Sequence, residues 1–200
     1  YACIRVDDKE FAKELLERHI NEVNENFREN LYNFCMCGYL IHLKKYKEAL
    51  SYNVKVKKEF FQYKKMLQIY LFDIYYALNY YDNALSALQA LKYFVASEEK
   101  LEENVKKLFY EYCYFAKKLL EIKTNSYTEK EMKTKAKDLL NELNANKEVT
   151  KRNSLVEKLN EIISKLTSTN QYITKENETN NSKIKSISHD NENLMKDKIY

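Results

Sequence analysis

The sequence predicts an all-α fold in which antiparallel helix pairs stack as a right-handed α-solenoid, followed by a polar tail. The 200-residue chain has one glycine, Gly38, and no proline, so it lacks the residues that most often form tight turns. Its apolar residues recur near the 3.6-residue period of amphipathic helices. A short motif also repeats 35 positions apart, because residues 45–50 read KYKEAL and residues 80–85 read YYDNAL. A repeat of about 34 residues, built from two helices and a turn, is typical of a solenoid.

Seven or eight helices are predicted from the apolar period and from residues that cap helices. Asp7 or Asp8 can cap the first helix, and Ser97 is predicted as the N-cap of the sixth. Thr128 stands three residues before Glu131, which is the pattern of a capping box. The most apolar helix, 63–79, is expected to be central and buried on several sides. The predicted ranges are 7–20, 27–43, 46–60, 63–79, 81–96, 97–122, 128–144 and 146–166.

The predicted domain organisation is a helical domain over residues 1–166 and a tail over 167–200. The clearest repeats of the domain are 30–62 and 63–97. The tail is rich in Asn, Ser, Thr and Lys, and its apolar residues are isolated. Such a composition buries too little apolar surface to offset the entropy of ordering, so a flexible tail is expected.

Composition disfavours several functional classes. The 34 basic and 30 acidic residues are interspersed, and only four of the basic residues are arginines, which disfavours a nucleic-acid-binding surface. No run reaches the roughly 18 apolar residues of a membrane span. The four cysteines lack the spacing of a disulfide framework, so free thiols and a cytoplasmic location are expected. The sequence begins with Tyr1 rather than Met, so a processed chain or a fragment is expected, from which a targeting signal could have been lost.

The repeated motif resembles the tetratricopeptide repeat. With Tyr46 and Tyr81 placed on the aromatic position of the second helix of that repeat, Ala49 and Ala84 fall on its alanine. The tryptophan that opens the family's repeat and the proline that ends it are both missing, so the resemblance is to a divergent member. On the first helix of the repeat, the family's leucine corresponds to Met36 and Leu71, and its tyrosine corresponds to Leu40 and Tyr75.

A second resemblance covers about residues 30–166. The apolar run 66–78, followed by 139–143 and 154–159, is similar to the carboxy-terminal part of helical-repeat proteins of Bacteroidota-type bacteria. Those proteins usually have a tryptophan where this chain has Ser154. The resemblance implies an intracellular helical scaffold, and it brings no catalytic residue with it.

No catalytic residue, metal site or cofactor is predicted. Cys35 and Cys37 are two residues apart, so on a helix they point to nearly opposite sides and cannot form a ligand pair. The three histidines, His19, His42 and His189, lie in no metal or nucleophile motif. A solvated histidine near a helix end is the preferred interpretation of His42, although the repeat register places it on the inner face of a first helix.

Asp73 is the unusual acidic residue of this chain, because it lies within the most apolar predicted helix. Acids are rarely buried unless they are paired, so Asp73 either lines a binding groove or pairs with a lysine, and the repeat register favours the groove. The same register places Tyr76 on the inner face, with Tyr80 and Tyr112 as candidate neighbours. The predicted groove residues are Leu31, Phe34, His42, Asp73, Tyr76, Tyr80 and Tyr112.

Five lysines bracket the turn between the two repeats. They are expected to form a solvated rim, with a docking site for an acidic partner as the alternative. These residues are Lys55, Lys57, Lys58, Lys64 and Lys65.

Three functional hypotheses follow from the sequence. The first is a non-catalytic protein-interaction scaffold that binds a peptide or helix of a protein partner in the solenoid groove. The second is an accessory or regulatory region of a longer enzyme or signalling protein. The third is a helical repeat associated with nucleic acid, for which binding would depend steeply on salt.

Overall fold

The computed structural model describes residues 9–57, 61–146 and 148–164, and within these residues it contains helices and connecting segments but no strand. The prediction of an all-α fold is therefore confirmed. The helices are α1 (Lys9–His19), α2 (Glu25–His42), α3 (Tyr46–Asn53), α4 (Phe61–Ala77), α5 (Tyr81–Ser97), α6 (Glu103–Thr124), α7 (Glu129–Ala145) and α8, which is helical over residues 152–164; a short 3-10 turn spans Ile20–Glu22.

Neighbouring helices in the chain pack on one another throughout the described region. The contact between α4 and α5 is the most extensive, and α2 also contacts α4 directly across the intervening α3. Helix α4 contributes to both apolar clusters of the protein: Leu67 and Ile74 pack with α2 and α3, whereas Ile69 and Phe72 pack with the helices that follow. The expectation that this helix is central and buried on several sides is confirmed.

The 35-residue repeat of the sequence is reproduced in the backbone of two turns. The amide of Lys45 donates to the carbonyl five residues earlier at 2.9 Å, and the amide of Tyr80 does the same at 2.8 Å. Lys44 and Asn79 precede these residues and have φ angles of 59° and 61°. This left-handed conformation ends a helix and reverses the chain direction. The turns after α2 and α4 therefore have the same geometry.

The single glycine of the chain lies on α2 where it faces Tyr70 of α4. A Cβ atom at Gly38 would lie 2.6 Å from the hydroxyl of Tyr70. The Tyr70 side chain is buried, and its ring centre is 5.5 Å from that of Phe34. A side chain at position 38 would therefore require these packed aromatic groups to move.

Three helix ends differ from the prediction because buried residues hold the connecting segments. Helix α3 ends at Asn53, whose buried amide donates to the carbonyl of Leu67 at 3.4 Å. Ser97 is the last residue of α5 and not the N-cap of α6; α6 begins at Glu103, after Leu101 has entered the core. Likewise, α8 begins at residue 152 and not at 146, because the preceding segment inserts Val149 into the core.

Of the other predictions about helix caps and the tail, one is confirmed and the rest fall outside the described residues. The capping box is confirmed, since the Thr128 hydroxyl accepts from the amide of Glu131 and the Glu131 carboxylate accepts from the amide of Thr128. The predicted caps Asp7 and Asp8 and the predicted tail 167–200 lie outside the described residues. Among the helices that the structure describes, none has both the length and the apolar character needed to cross a bilayer.

Candidate functional site

Helix α8 lies across three earlier parts of the chain. Two residues before α8 begins, the amide of Thr150 donates to the carbonyl of Leu108 in α6 at 3.5 Å. Near its described end, Lys44, in the turn after α2, donates to Glu161 at 3.2 Å. Between these two contacts α8 covers Asp73 and Tyr76 of α4, and we call this surface the covered face. Helix α8 therefore runs from α6 over α4 towards the turn that follows α2.

A polar cluster joins α8 to the covered face. The Asp73 carboxylate accepts from the Lys158 ammonium at 2.6 Å and from the Ser154 hydroxyl at 3.1 Å. Lys158 also donates to the Ser154 hydroxyl at 2.6 Å. Because Ser154 and Lys158 are four residues apart, they project from the same side of α8. The side chains of Asp73 and Lys158 are only 9% and 15% exposed, so this ion pair is shielded from water.

Apolar residues of α8 surround this cluster. Leu155, Leu159 and Ile162 are each at most 3% exposed, and they belong to the same apolar cluster as Tyr76. Their spacing of four and three residues places them on one stripe of the helix. Helix α8 is thus an amphipathic helix whose buried side combines three aliphatic anchors with one cation.

Two tyrosines of the predicted groove are buried beside the carboxylate. The Lys158 ammonium is 5.9 Å from the centre of the Tyr76 ring, within the range of a cation–π contact. Burial raises the pKa of Tyr76, and nearby Tyr81 adds to the effect. Tyr112 is fully buried, and burial together with the charge of Asp73 raises the pKa of its hydroxyl well above 10.0. Within the described part of the chain, this hydroxyl has no hydrogen-bond partner.

The cluster is arranged to hold helices together. A serine hydroxyl within hydrogen-bond distance of a lysine can serve as a nucleophile when the amine is free to take its proton. Here the Lys158 nitrogen is an ammonium that donates to Asp73, and the Ser154 hydroxyl donates to the same carboxylate. Each donor therefore points into the helix–helix contact.

The structure brings together only part of the predicted groove. Asp73, Tyr76 and Tyr112 are buried in one region, and of the two interpretations of Asp73 the structure shows the lysine pair. Phe34 is instead buried between α2 and α4, where its ring stacks on that of Tyr63 at 4.6 Å. The others are Leu31, which is half-buried on α2, His42, which is half-buried in the last turn of α2, and Tyr80, which is 51% exposed before α5.

Sequence reasoning did not identify Ser154 and Lys158 as partners of Asp73. The available signal was a Ser and a Lys four residues apart, beside an aliphatic stripe at helical spacing. That pattern shows which side of α8 is buried. It does not show that the partner carboxylate lies 85 residues earlier in the chain.

Of the thiols in the described residues, Cys35 is half-buried and Cys37 and Cys113 are buried, and burial raises the pKa of each, which disfavours the reactive thiolate. Burial raises the pKa of Cys37 to about 12 and that of Cys113 to about 11. Cys35, Cys37 and Cys113 are free, and no group of three metal-ligating side chains occurs within the described ranges. His19 pairs with Glu22 at 2.8 Å. Cys3 and His189 lie outside the described residues.

The lysines that bracket the inter-repeat turn lie over aromatic rings. The ammonium of Lys55 is 5.2 Å from the ring centre of Tyr52. Lys64 and Lys65, on α4, lie 5.9 and 5.5 Å from the rings of Phe94 and Phe109. Lys57 is exposed, and Lys58 is outside the described residues.

An open cleft of about 270 Å³ lies between α6 and α7. Its lining carries both signs of charge, and both of its lysines already contact other side chains. Lys118 donates to Glu142 at 3.0 Å and lies 4.3 Å from the ring centre of Tyr114, and Lys135 lies 4.7 Å from that of Tyr127. The ammonium groups of Lys118 and Lys135 in this cleft therefore already contact other side chains.

Comparison with protein-family models, with curated proteins and with solved structures finds no match for this chain.

Proposed function

We propose that this chain is a non-catalytic protein-interaction scaffold, a tetratricopeptide-like α-solenoid that binds a helical segment of a partner protein on the covered face. The observation that carries the proposal is the seating of α8 across α4 and α6. An amphipathic helix that lays its apolar stripe on a surface of other helices is the helix-in-groove mode of protein recognition. The covered face already accommodates a helix in this way.

The packing order of the helices supports the solenoid. Each described helix packs on its neighbours in the chain, and α2 contacts α4 across α3. In a solenoid of helix pairs, the first helices of successive repeats are neighbours and line one side. By this register α2, α4 and α6 are the first helices. Helix α8 contacts α4 and the turn after α2, and the segment just before it contacts α6.

The test is affinity capture from a lysate of the source cells with full-length baits. The first bait is the native chain. The second carries Leu155→Asp and Leu159→Asp, which remove the aliphatic anchors of α8, and we call it the vacated chain. A third adds Asp73→Lys to the vacated chain. A matched control adds Asp82→Lys instead, which makes the same charge change at an exposed position of α5.

We expect a protein partner to be enriched by the vacated chain, retained by the Asp82→Lys control and lost with Asp73→Lys. Circular dichroism must show the same helical content in each bait. If no protein is enriched by any folded bait, the proposed function is wrong. If a partner binds equally with Asp73→Lys, its site is not the covered face.

A further inference from the structure

We infer that α8 is a built-in competitor for the covered face, and that the partner it excludes is an amphipathic helix with a lysine or arginine at the position of Lys158. This inference rests on the proposed function and adds the chemistry of the partner and the regulation of the site.

The charge of the covered face selects the occupant. The side chain of Asp73 is 9% exposed, so once an occupant covers it, water no longer solvates the carboxylate. A buried carboxylate without a cation is strongly destabilising. Lys158 supplies that cation in the present structure, with the Ser154 hydroxyl as the second donor. A competing helix must therefore bring its own cation to this position, next to aliphatic residues that replace the three anchors of α8.

The outer side of α8 allows it to leave without moving another helix. Asn153, Glu157, Asn160, Glu161 and Ser164 are exposed, which shows that none of the described elements covers this side. Helix α8 is therefore a surface layer over the covered face.

The two ends of α8 are held unequally. The segment before α8 is fixed by Val149, which is buried in the core, and by Asn146, which donates to Glu111 at 2.8 Å. At the other end, Ile162 is buried, but the ion pair between Lys44 and Glu161 has side chains that are 71% and 49% exposed, so this pair contributes little. We expect α8 to open from the Glu161 end while the connecting segment stays in place.

This connection also sets the strength of the competition. A helix tethered by a short segment competes at an effective concentration of the order of millimolar. A partner helix present at micromolar concentration must therefore bind the covered face more tightly than α8 does, or must meet a chain in which α8 has been weakened.

The test uses a fluorescein-labelled synthetic peptide of residues 150–164 and full-length protein, with binding followed by fluorescence anisotropy. The proteins are the native chain, the vacated chain, and the vacated chain with Asp82→Lys as the charge control. A second release variant, Lys158→Glu in the native chain, weakens α8 without changing its aliphatic anchors. The peptide is made with Lys158, with Lys158→Arg and with Lys158→Glu.

We expect the Lys158 and Lys158→Arg peptides to bind the vacated chain and its Asp82→Lys control alike, and the native chain at least ~10-fold more weakly because α8 competes. The Lys158→Glu peptide should bind the vacated chain about 100-fold more weakly. It should regain affinity for a vacated chain that carries Asp73→Lys, because the charges are then exchanged. This recovery is a readout that loss of folding cannot produce.

Three results would overturn the inference. Equal peptide affinity for the native and vacated chains would show that α8 does not compete. Equal affinity of the Lys158 and Lys158→Glu peptides would show that Asp73 does not select a cation. Loss of cooperative unfolding in both release variants would show that α8 is a required part of the core. Peptide binding without any captured cellular partner would leave this inference standing and remove the proposed function, so the two failures are distinguishable.

Discussion

Removing Lys158 alone should cost more stability than removing both partners of the Asp73–Lys158 pair. We consider Lys158→Met, Asp73→Ala and the double variant in the full chain. Lys158→Met keeps the volume of the side chain but leaves the Asp73 carboxylate buried, with the Ser154 hydroxyl at 3.1 Å as its donor. Asp73→Ala leaves a lysine whose side chain is 15% exposed and can extend its ammonium towards water. Lys158→Met should therefore be the more damaging change.

The geometry sets the size of the effect. At a separation of 2.6 Å, two unit charges attract by about 6 kcal/mol at an effective dielectric constant near 20, before desolvation of both groups is subtracted. Desolvation offsets most of this attraction, whereas a lone buried charge keeps its desolvation cost. We expect Lys158→Met to lower the free energy of unfolding by about 3 kcal/mol, and Asp73→Ala by about 2 kcal/mol. The double variant should lose only about 1–2 kcal/mol, because no uncompensated charge is left.

The assay is urea unfolding followed by circular dichroism at 222 nm. A loss of about 3 kcal/mol should move the midpoint by about 1 M or more. The matched control is Lys117→Met, which breaks an exposed pair with Glu121 and should change stability by less than about 0.5 kcal/mol. If the losses of the two single variants add up in the double variant, the pair is not coupled and the reasoning about α8 fails.

Three further changes test the packing in the same unfolding assay. Tyr112→Phe should raise stability by about 1 kcal/mol, because it removes a buried hydroxyl without a partner. Tyr112→Phe should also reduce the loss of stability above pH 10, since the raised pKa of Tyr112 means that the unfolded chain releases this proton before the folded chain does. If Tyr112→Phe instead lowers the free energy of unfolding, the hydroxyl has a hydrogen-bond partner. Gly38→Ala should cost about 1–2 kcal/mol of stability, although alanine has the better helix propensity. Adding Tyr70→Phe should recover part of this cost, because it removes the hydroxyl that lies 2.6 Å from the new Cβ position. A stabilised Gly38→Ala variant would contradict the close approach of Tyr70 to Gly38. Lys44→Asn should stabilise the left-handed turn after α2 by up to about 1 kcal/mol, and Asn79→Lys should destabilise the equivalent turn after α4. Effects of the same sign in the two variants would show that the turns differ.

The helices could be predicted because their signals are local. The apolar period of residues 63–79 marks α4 as a helix buried on several sides, and the Thr128 and Glu131 pair marks the start of α7. The predicted end of α3 and the predicted starts of α6 and α8 were wrong because each depends on a residue that reaches a distant part of the fold. Leu101, for example, leaves the helical path to enter a core that several helices build together.

The candidate site, like the helices, could be predicted only where its signals are local. An acid inside the most apolar helix pointed to Asp73 without any structural information, and the two open interpretations were a groove and a lysine pair. The choice between them needed the position of α8, since Lys158 is 85 residues away and no local pattern connects the two. Tyr112 was predicted only as a candidate neighbour of Tyr76, and its complete burial was decided by the helices that pack around it.

The sequence by itself thus determined the all-α class, the 35-residue repeat and the presence of one acid within the most apolar helix, because each depends on the order and spacing of nearby residues. Only the tertiary structure decided that α8 covers that carboxylate with its own lysine. Long-range pairing of this kind is set by the summed packing of many apolar side chains and by the cost of leaving a charge buried alone, and neither quantity can be read from residues that are neighbours in the chain.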